Sequence, residues 1–160
     1  MLRFTKAQLQ TPVLKDRARL VKDIELHLME FRPKLFEIFP RPYLGWVIND
    51  SVEIASHFKL DDVEALRVFV RLRWDIAPGF YKQPNIAAVL SRTELPGMAR
   101  SEELAAERYA DDWVEAARFD DAREWRARFW RDRVVTGAVA GRGPWGWMLC
   151  RMMGLGLCRV

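Results

Sequence analysis

The sequence predicts an all-α protein, a single compact bundle of about five to seven helices. Apolar residues recur at every third or fourth position along most of the chain, and no window alternates apolar and polar residues for long enough to indicate a strand. Proline and glycine separate the periodic segments by short connections, which favour antiparallel neighbours. With 160 residues, 50% of them hydrophobic, the chain can bury a core without disulfides or metal.

Local signals set the helix boundaries. Thr11 followed by Pro12 predicts a helix start, because proline at the first helical position lacks an N–H that would have no partner there. Asp61 and Asp121 each stand three residues before a glutamate, the spacing of a capping box, and Ser101 is a candidate N-cap. These signals predict helices over 12–31, 42–57, 84–92, 102–118 and 121–135. A further helix is predicted to start at 61 and to end before a loop that begins at 75, and a short apolar patch covers 35–39.

Charge is distributed unevenly along the chain. Residues 1–122 hold 18 Lys or Arg and 20 Asp or Glu, whereas residues 123–160 hold eight Arg and two acids. The formal net charge of +4 therefore originates in the C-terminal part. We expect a helical domain over 1–135, followed by a basic tail rich in Gly, Trp and Met over 136–160.

No arrangement of residues in the sequence indicates catalysis. Motifs for phosphate loops, nucleophile elbows, dinucleotide binding and zinc hydrolases are absent. His27 is expected within a helix, at the boundary between its apolar and polar faces, with no acid or nucleophile placed to partner it. His57 is expected near a helix C-terminus, where a protonated imidazole would complement the helix dipole. Three aspartate pairs are expected to cap helices or lie on a solvated face: Asp61-Asp62, Asp111-Asp112 and Asp120-Asp121. We therefore expect no enzyme activity, no cofactor and no metal site.

The cysteines and the hydropathy of the chain indicate the cellular location of the protein. Cys150 and Cys158 are the only cysteines, and their spacing fits neither a disulfide framework nor a metal site. The N-terminal residues lack the apolar run of a signal peptide, so a cytoplasmic location is expected. The apolar segment 143–158 is shorter than the roughly 20 residues that span a bilayer and contains Arg151, so we expect no stable membrane insertion.

The segment 123–133, REWRARFWRDR, combines arginines with aromatic residues in the manner of nucleic-acid-binding proteins. On a helix, however, Trp125 and Phe129 share one face, whereas Trp130 and Arg131 point elsewhere. The favoured interpretation is that this helix packs its aromatic face on a core and exposes its arginines to water. Nucleic acid is therefore not the expected partner, and a nucleic-acid-binding helical protein stays an alternative.

The tail is rich in the residue types that protein interfaces use, namely Trp, Arg and Met. Segment 144–158 is expected to bind a protein; the alternative is that it folds back on its own domain or stays disordered. Its glycines argue against one continuous helix that lies on a membrane surface. The candidate protein-binding residues are Trp130, Arg131, Trp145, Trp147, Met148, Arg151 and Met152, together with Phe80 and Tyr81 of the loop over 75–84.

Six short stretches in the middle of the chain follow a characteristic order: 47–48, 54–63, 68–72, 77–80, 86–90 and 95–96. Together they resemble a group of small helical proteins encoded beside bacterial type VI secretion effectors, especially toxins with a spike-tip domain. The chain departs from that group at Lys59, where glycine is usual, and at Gly79, where an acid is usual.

The resemblance implies a non-enzymatic partner protein. It implies an adaptor or chaperone that holds a cognate effector toxin for loading or stabilisation; the alternative is an immunity protein that neutralises that toxin. We expect binding through an apolar groove between helices and through the Arg/Trp tail. The sequence does not predict an oligomeric state.

Overall fold

The structure is a computed structural model that describes residue 14, residues 16–120 and residues 122–135. Within these residues it contains eight α-helices, two 3-10 helices and no strand, which confirms the all-α fold class. The α-helices are α1 (Arg17–Phe31), α2 (Pro33–Ile38), α3 (Arg41–His57), α4 (Val63–Asp75), α5 (Pro84–Leu90), α6 (Gly97–Leu104), α7 (Ala110–Ala116) and α8 (Ala122–Val135). The 3-10 helices are Phe80–Lys82 and Glu107–Tyr109.

The described residues divide into two units, one that ends at Arg123 and one that begins at Glu124. In the first unit, α1, α3 and α4 pack against one another and supply the centre of the core. Their buried side chains recur at helical spacing: Leu20, Ile24 and Leu28 on α1, Ile48, Val52 and Ala55 on α3, and Leu66, Phe69 and Val70 on α4. The predicted domain boundary at 135 coincides with the last described residue, so it stays a prediction.

Aspartate side chains cap the starts of α1 and α4. The Asp16 carboxylate accepts hydrogen bonds from the backbone N–H groups of Ala18 and Arg19 at 3.0 and 3.2 Å. The start that was predicted at Thr11 and Pro12 lies outside the described residues. At α4 the cap is Asp62, whose carboxylate accepts from the Ala65 N–H at 2.7 Å, so the predicted boundary at Asp61 was wrong by one residue.

The helix predicted over 102–118 was wrong, since the chain there forms α6, a 3-10 turn and α7. Helix α6 already begins at Gly97, and Ser101 lies inside it, where its hydroxyl donates back to the Gly97 carbonyl at 3.2 Å. Helix α6 ends at Leu104, whose carbonyl accepts from the Trp113 indole N–H at 2.9 Å. The Leu104 carbonyl therefore accepts from a tertiary contact and not from the next turn of a helix. After the turn, the Trp113 ring packs beside Phe80, with ring centroids 5.8 Å apart.

Arg73, on α4, lies in a buried ion pair. Its Nη1 donates to the Asp50 carboxylate at 2.9 Å and to the Ser51 hydroxyl at 2.8 Å, both on α3, and its Nε donates to the Pro78 carbonyl at 2.8 Å. The side chains of Arg73 and Asp50 are only 2% and 4% exposed. This contact therefore ties α3, α4 and the loop after α4 into one polar network inside the core.

Arg100, on α6, is also buried, but its acceptors are backbone carbonyls. Its guanidinium donates to the carbonyls of Phe58 and Lys59, which end α3, and to that of Leu90, which ends α5. Helix C-termini each carry about half a negative charge, so two of them together offset one guanidinium. Lys59 adopts a positive φ of 50°, and the N–H groups of Lys59 and Leu60 donate back into the last turn of α3 in a Schellman motif.

Candidate protein-binding surface

The apolar stripe of α1 extends beyond the core. Leu20, Ile24 and Leu28 are buried, and Phe31 continues their spacing by a further three residues. Phe31 is nevertheless 52% exposed. Because Pro33 begins a new helix immediately afterwards, the stripe ends with an aromatic side chain at the surface.

Neighbouring side chains hold the Phe31 ring in place. The imidazole of His27, one turn earlier on α1, packs on it with ring centroids 4.6 Å apart and an interplanar angle of 43°. The guanidinium carbon of Arg71, on α4, lies 5.7 Å from the ring centroid, within the range of a cation–π contact. We name Phe31, His27 and Arg71 the Phe31 surface.

Ion pairs surround the Phe31 surface and connect α1 to α4. Arg67 donates from Nε and Nη2 to both carboxylate oxygens of Asp23, at 2.9 and 2.7 Å. Asp75 contacts Arg32 at 2.7 Å and Arg71 at 3.8 Å. Bidentate and shared pairs of this kind fix side-chain positions more than single exposed pairs do, so the surface is preorganised.

The surroundings of His27 favour its neutral form. Partial burial lowers the pKa of His27 below its ordinary value of 6.5, and the positive charges of Arg67 and Arg71 lower it further. The hydrogen bond to Asp23 raises the pKa of Arg67 and so favours its charged form further. A neutral imidazole covers part of Phe31 without adding a second positive charge beside Arg71.

The residues that the sequence nominated for binding differ in burial where the structure describes them. Phe80 is fully buried in the core, and Tyr81 packs against the same core, with the Arg73 guanidinium 5.7 Å from its ring. Phe80 therefore anchors the loop internally, so it does not present a surface to a partner. Trp130 is half-buried and Arg131 is exposed on α8. Trp145, Trp147, Met148, Arg151 and Met152 lie outside the described residues.

One open groove of about 520 Å³ lies on α1 and α3. Its lining comprises Arg17, Ala18, Val21, Lys22, Glu25 and Asn49, so both polar and apolar groups contribute to it. Arg17 donates to the side-chain oxygen of Asn49 at 3.0 Å and to its backbone carbonyl at 2.7 Å. The apolar groove between helices that the sequence predicts stays a prediction.

Asp112 has a structural role in the described part of the chain. Asp112 was expected on a solvated face, but its carboxylate accepts from the side-chain amides of Gln83 and Asn85 at 2.8 and 2.7 Å. It thereby links α7 to the start of α5. Over residues 14, 16–120 and 122–135, no three His, Cys, Asp or Glu side chains group as metal ligands.

Comparison with known proteins does not add a family. No family model, no curated protein and no solved structure matches this chain. The resemblance to type VI accessory proteins thus stays a prediction. Among the helices of the described part, none combines the length and the apolar character needed to cross a bilayer.

The sequence did not identify Phe31 as a surface residue. The helical spacing of Leu20, Ile24, Leu28 and Phe31 predicts one apolar stripe, but periodicity does not show where a core ends. The available signal was Pro33, because a stripe residue in the last turn before a helix break has fewer elements to pack against.

Proposed function

We propose that this chain is a non-enzymatic protein-binding factor, an adaptor or chaperone for a type VI secretion effector. The Phe31 surface is the observation that carries the binding role. The sequence resemblance over 47–96 supplies the class of partner, a secreted toxin that requires loading or stabilisation.

The Phe31 surface has the properties of an interface anchor. Aromatic residues and arginine are enriched among the residues that dominate binding energy, and here Phe31 and Arg71 adjoin. Side chains that already have their bound positions lose less conformational entropy on association. His27 and the ion pairs of Asp23 and Asp75 provide such preorganisation, so a partner can cover the ring with little rearrangement.

The test uses co-expression with the products of the neighbouring genes, followed by co-purification of the full chain. If the proposal holds, one of these products co-purifies, and the variant Phe31→Ser recovers at least tenfold less of it. Leu26→Ser is the matched control, because Leu26 is 54% exposed on the same helix but lies away from the stripe. Equal loss with both variants, or no complex with any product, would contradict the proposal.

A growth assay separates the adaptor from the alternative immunity role. An adaptor is needed for effector abundance or delivery, whereas an immunity protein rescues cells that express the toxin. Rescue of growth without any effect on delivery would replace the adaptor function by neutralisation, with the Phe31 surface still as the contact.

A further inference from the structure

Helix α8 has two different sides. Trp125 and Phe129 are buried at 3% and 6% exposure and lie one turn apart on one side. The adjacent outer arc presents Arg126, Ala127, Trp130 and Arg131, at positions i, i+1, i+4 and i+5, which form one contiguous patch on a helix. Arg126, Ala127 and Arg131 are exposed and Trp130 is half-buried. We name these four residues the α8 patch.

The α8 patch is positively charged. Arg126 and Arg131 form no ion pair with any residue in the described part of the chain, and the patch contains no acid. Elsewhere many exposed arginines do bind carboxylates; Arg92 and Arg108, for example, both contact Glu103 at 2.7 and 2.8 Å. The two patch arginines lie about 7.5 Å apart along the helix axis, from five residues of 1.5 Å rise.

Trp130 gives the patch an apolar centre. Its ring meets Phe129 edge-on, with centroids 5.1 Å apart, which limits the positions that the indole adopts. The small side chain of Ala127 leaves the neighbouring surface open to a partner. Trp and Arg are the residue types that contribute most to binding energy at protein interfaces.

The chemistry of the patch selects its partner. Two arginines that flank an indole match a surface on which carboxylates flank an apolar side chain, because opposite charges steer association and set register. Nucleic acid fits less well, since stacking along a strand uses successive exposed aromatic rings and here Trp125 and Phe129 are buried. A membrane surface fits less well for the same reason, because the apolar side of α8 is covered.

We infer that the α8 patch is a docking site for an acidic, apolar segment of a partner protein. The sequence composition agrees, since residues 123–160 hold eight Arg against two acids whereas the preceding chain is slightly acidic. The inference goes beyond the proposed function, because it concerns a second surface and states the chemistry of its ligand.

The experiment measures binding of the full chain to three fluorescent probes at 50 and 300 mM salt. The first probe is a synthetic helical peptide of about 20 residues with glutamates around a central leucine; the others are an oligothymidylate of equal charge and vesicles of phosphatidylcholine with phosphatidylglycerol. The expected result is salt-sensitive peptide binding that weakens about tenfold in Arg126→Glu/Arg131→Glu, because each reversed charge replaces an attraction by a repulsion. Trp130→Ala should weaken it at both salt concentrations.

Arg41→Glu/Arg118→Glu is the matched control. Both arginines are exposed, form no ion pair with a described residue and lie outside α8, and the change in net charge is identical. Equal weakening by the two double variants would show a nonspecific charge effect and overturn the inference. Patch-dependent binding to the oligonucleotide or the vesicles that exceeds peptide binding would likewise overturn it.

The two proposals fail separately. Patch-dependent peptide binding without a neighbouring-gene partner supports the docking site and contradicts the adaptor function. A complex that needs Phe31, together with absent peptide binding, supports the adaptor function and removes the docking site.

Discussion

The two buried arginines of the first unit are stabilised by different groups. Arg73 is paired with the carboxylate of Asp50, whereas Arg100 is bound by carbonyls at the ends of α3 and α5. A carboxylate carries a full charge that must itself be buried, while carbonyl dipoles are present in any case at helix ends. The difference shows that a fold can bury a cation without burying an anion, provided that helix termini converge on it.

Removal of Arg73 should have the largest effect on stability. Arg73→Met removes the guanidinium that pairs with the buried Asp50 carboxylate, and breaking a buried pair in this way costs about 3–5 kcal/mol. Urea unfolding followed by circular dichroism measures the loss. The double variant Arg73→Met/Asp50→Leu should recover most of it, because no charge is then buried. A double variant as unstable as the single one would contradict this account.

Removal of Arg100 should cost less, about 2–3 kcal/mol, because it leaves neutral carbonyls without donors rather than a charge. Arg100→Met and Arg73→Met compared in the same urea titration give the ranking directly. Arg100→Lys keeps the charge but cannot reach all three carbonyls at once, so its stability should lie between Met and wild type. A larger loss of unfolding free energy in Arg100→Met than in Arg73→Met would contradict this account.

Gly97 sets the distance between α6 and α4 and thereby the position of Arg100. A Cβ at residue 97 would lie 2.6 Å from Asp62 Oδ2 and 2.8 Å from the Ala65 Cβ. Gly97→Ala should therefore destabilise by about 1–3 kcal/mol, as overpacking does. Gly45→Ala is the control, because Gly45 lies within α3 with nothing within 4 Å of its added Cβ, and helix propensity predicts a gain of about 0.5–1 kcal/mol. Thermal unfolding of the two variants measures both.

Lys59→Gly should stabilise the protein by about 0.5–1 kcal/mol. Lys59 has a positive φ of 50°, a backbone conformation that costs a residue with a Cβ but not glycine. The carbonyl that it offers to Arg100 is unchanged by the substitution. Lys59→Ala retains the Cβ and should give no such gain in urea unfolding, so equal stabilisation by both variants would assign the effect to the loss of the lysine side chain.

His27 should produce the smallest effect, visible as a pH dependence. Its folded-state pKa lies below 6.5, so the unfolded chain takes up the proton first as pH falls. The associated stability is fully present above about pH 6.5 and is lost as pH falls through the lowered pKa. Stability measured between pH 5 and pH 8 should thus decline less steeply in His27→Gln than in wild type. Identical slopes would show that His27 does not contribute.

The helical fold was predictable because it depends on local patterns. The residues that recur at helical spacing over 42–57 and in the following helix are ones that the structure buries, Ser51 and Arg73 included. The break after Leu104 was not predictable, since it depends on Trp113, nine residues further along. The burial of Arg100 was likewise not predictable, because its acceptors are backbone carbonyls, which every residue has. The partner of Arg73 is the carboxylate of Asp50, and an aspartate can be recognised in the sequence.

The candidate binding surfaces were only partly predictable. The sides of α8 follow from periodicity, and the buried Trp125 and Phe129 confirm them. Phe31 could be placed on a stripe but not at the edge of a core, which is a property of the packed helices. Tyr81 and Phe80 illustrate the converse, since an aromatic pair in a loop can be the anchor that holds the loop to the core.

The Arg100 contact also bears on folding kinetics. Its acceptors include Phe58, 42 residues earlier in the chain, and Leu90, 10 residues earlier, so the contact requires two finished helix ends and a closed long loop. Such contacts form after the transition state when local helices and their first packing make up the nucleus. Loss of Arg100 should then accelerate unfolding and leave the refolding rate nearly unchanged, so the folded molecule would persist for a shorter time.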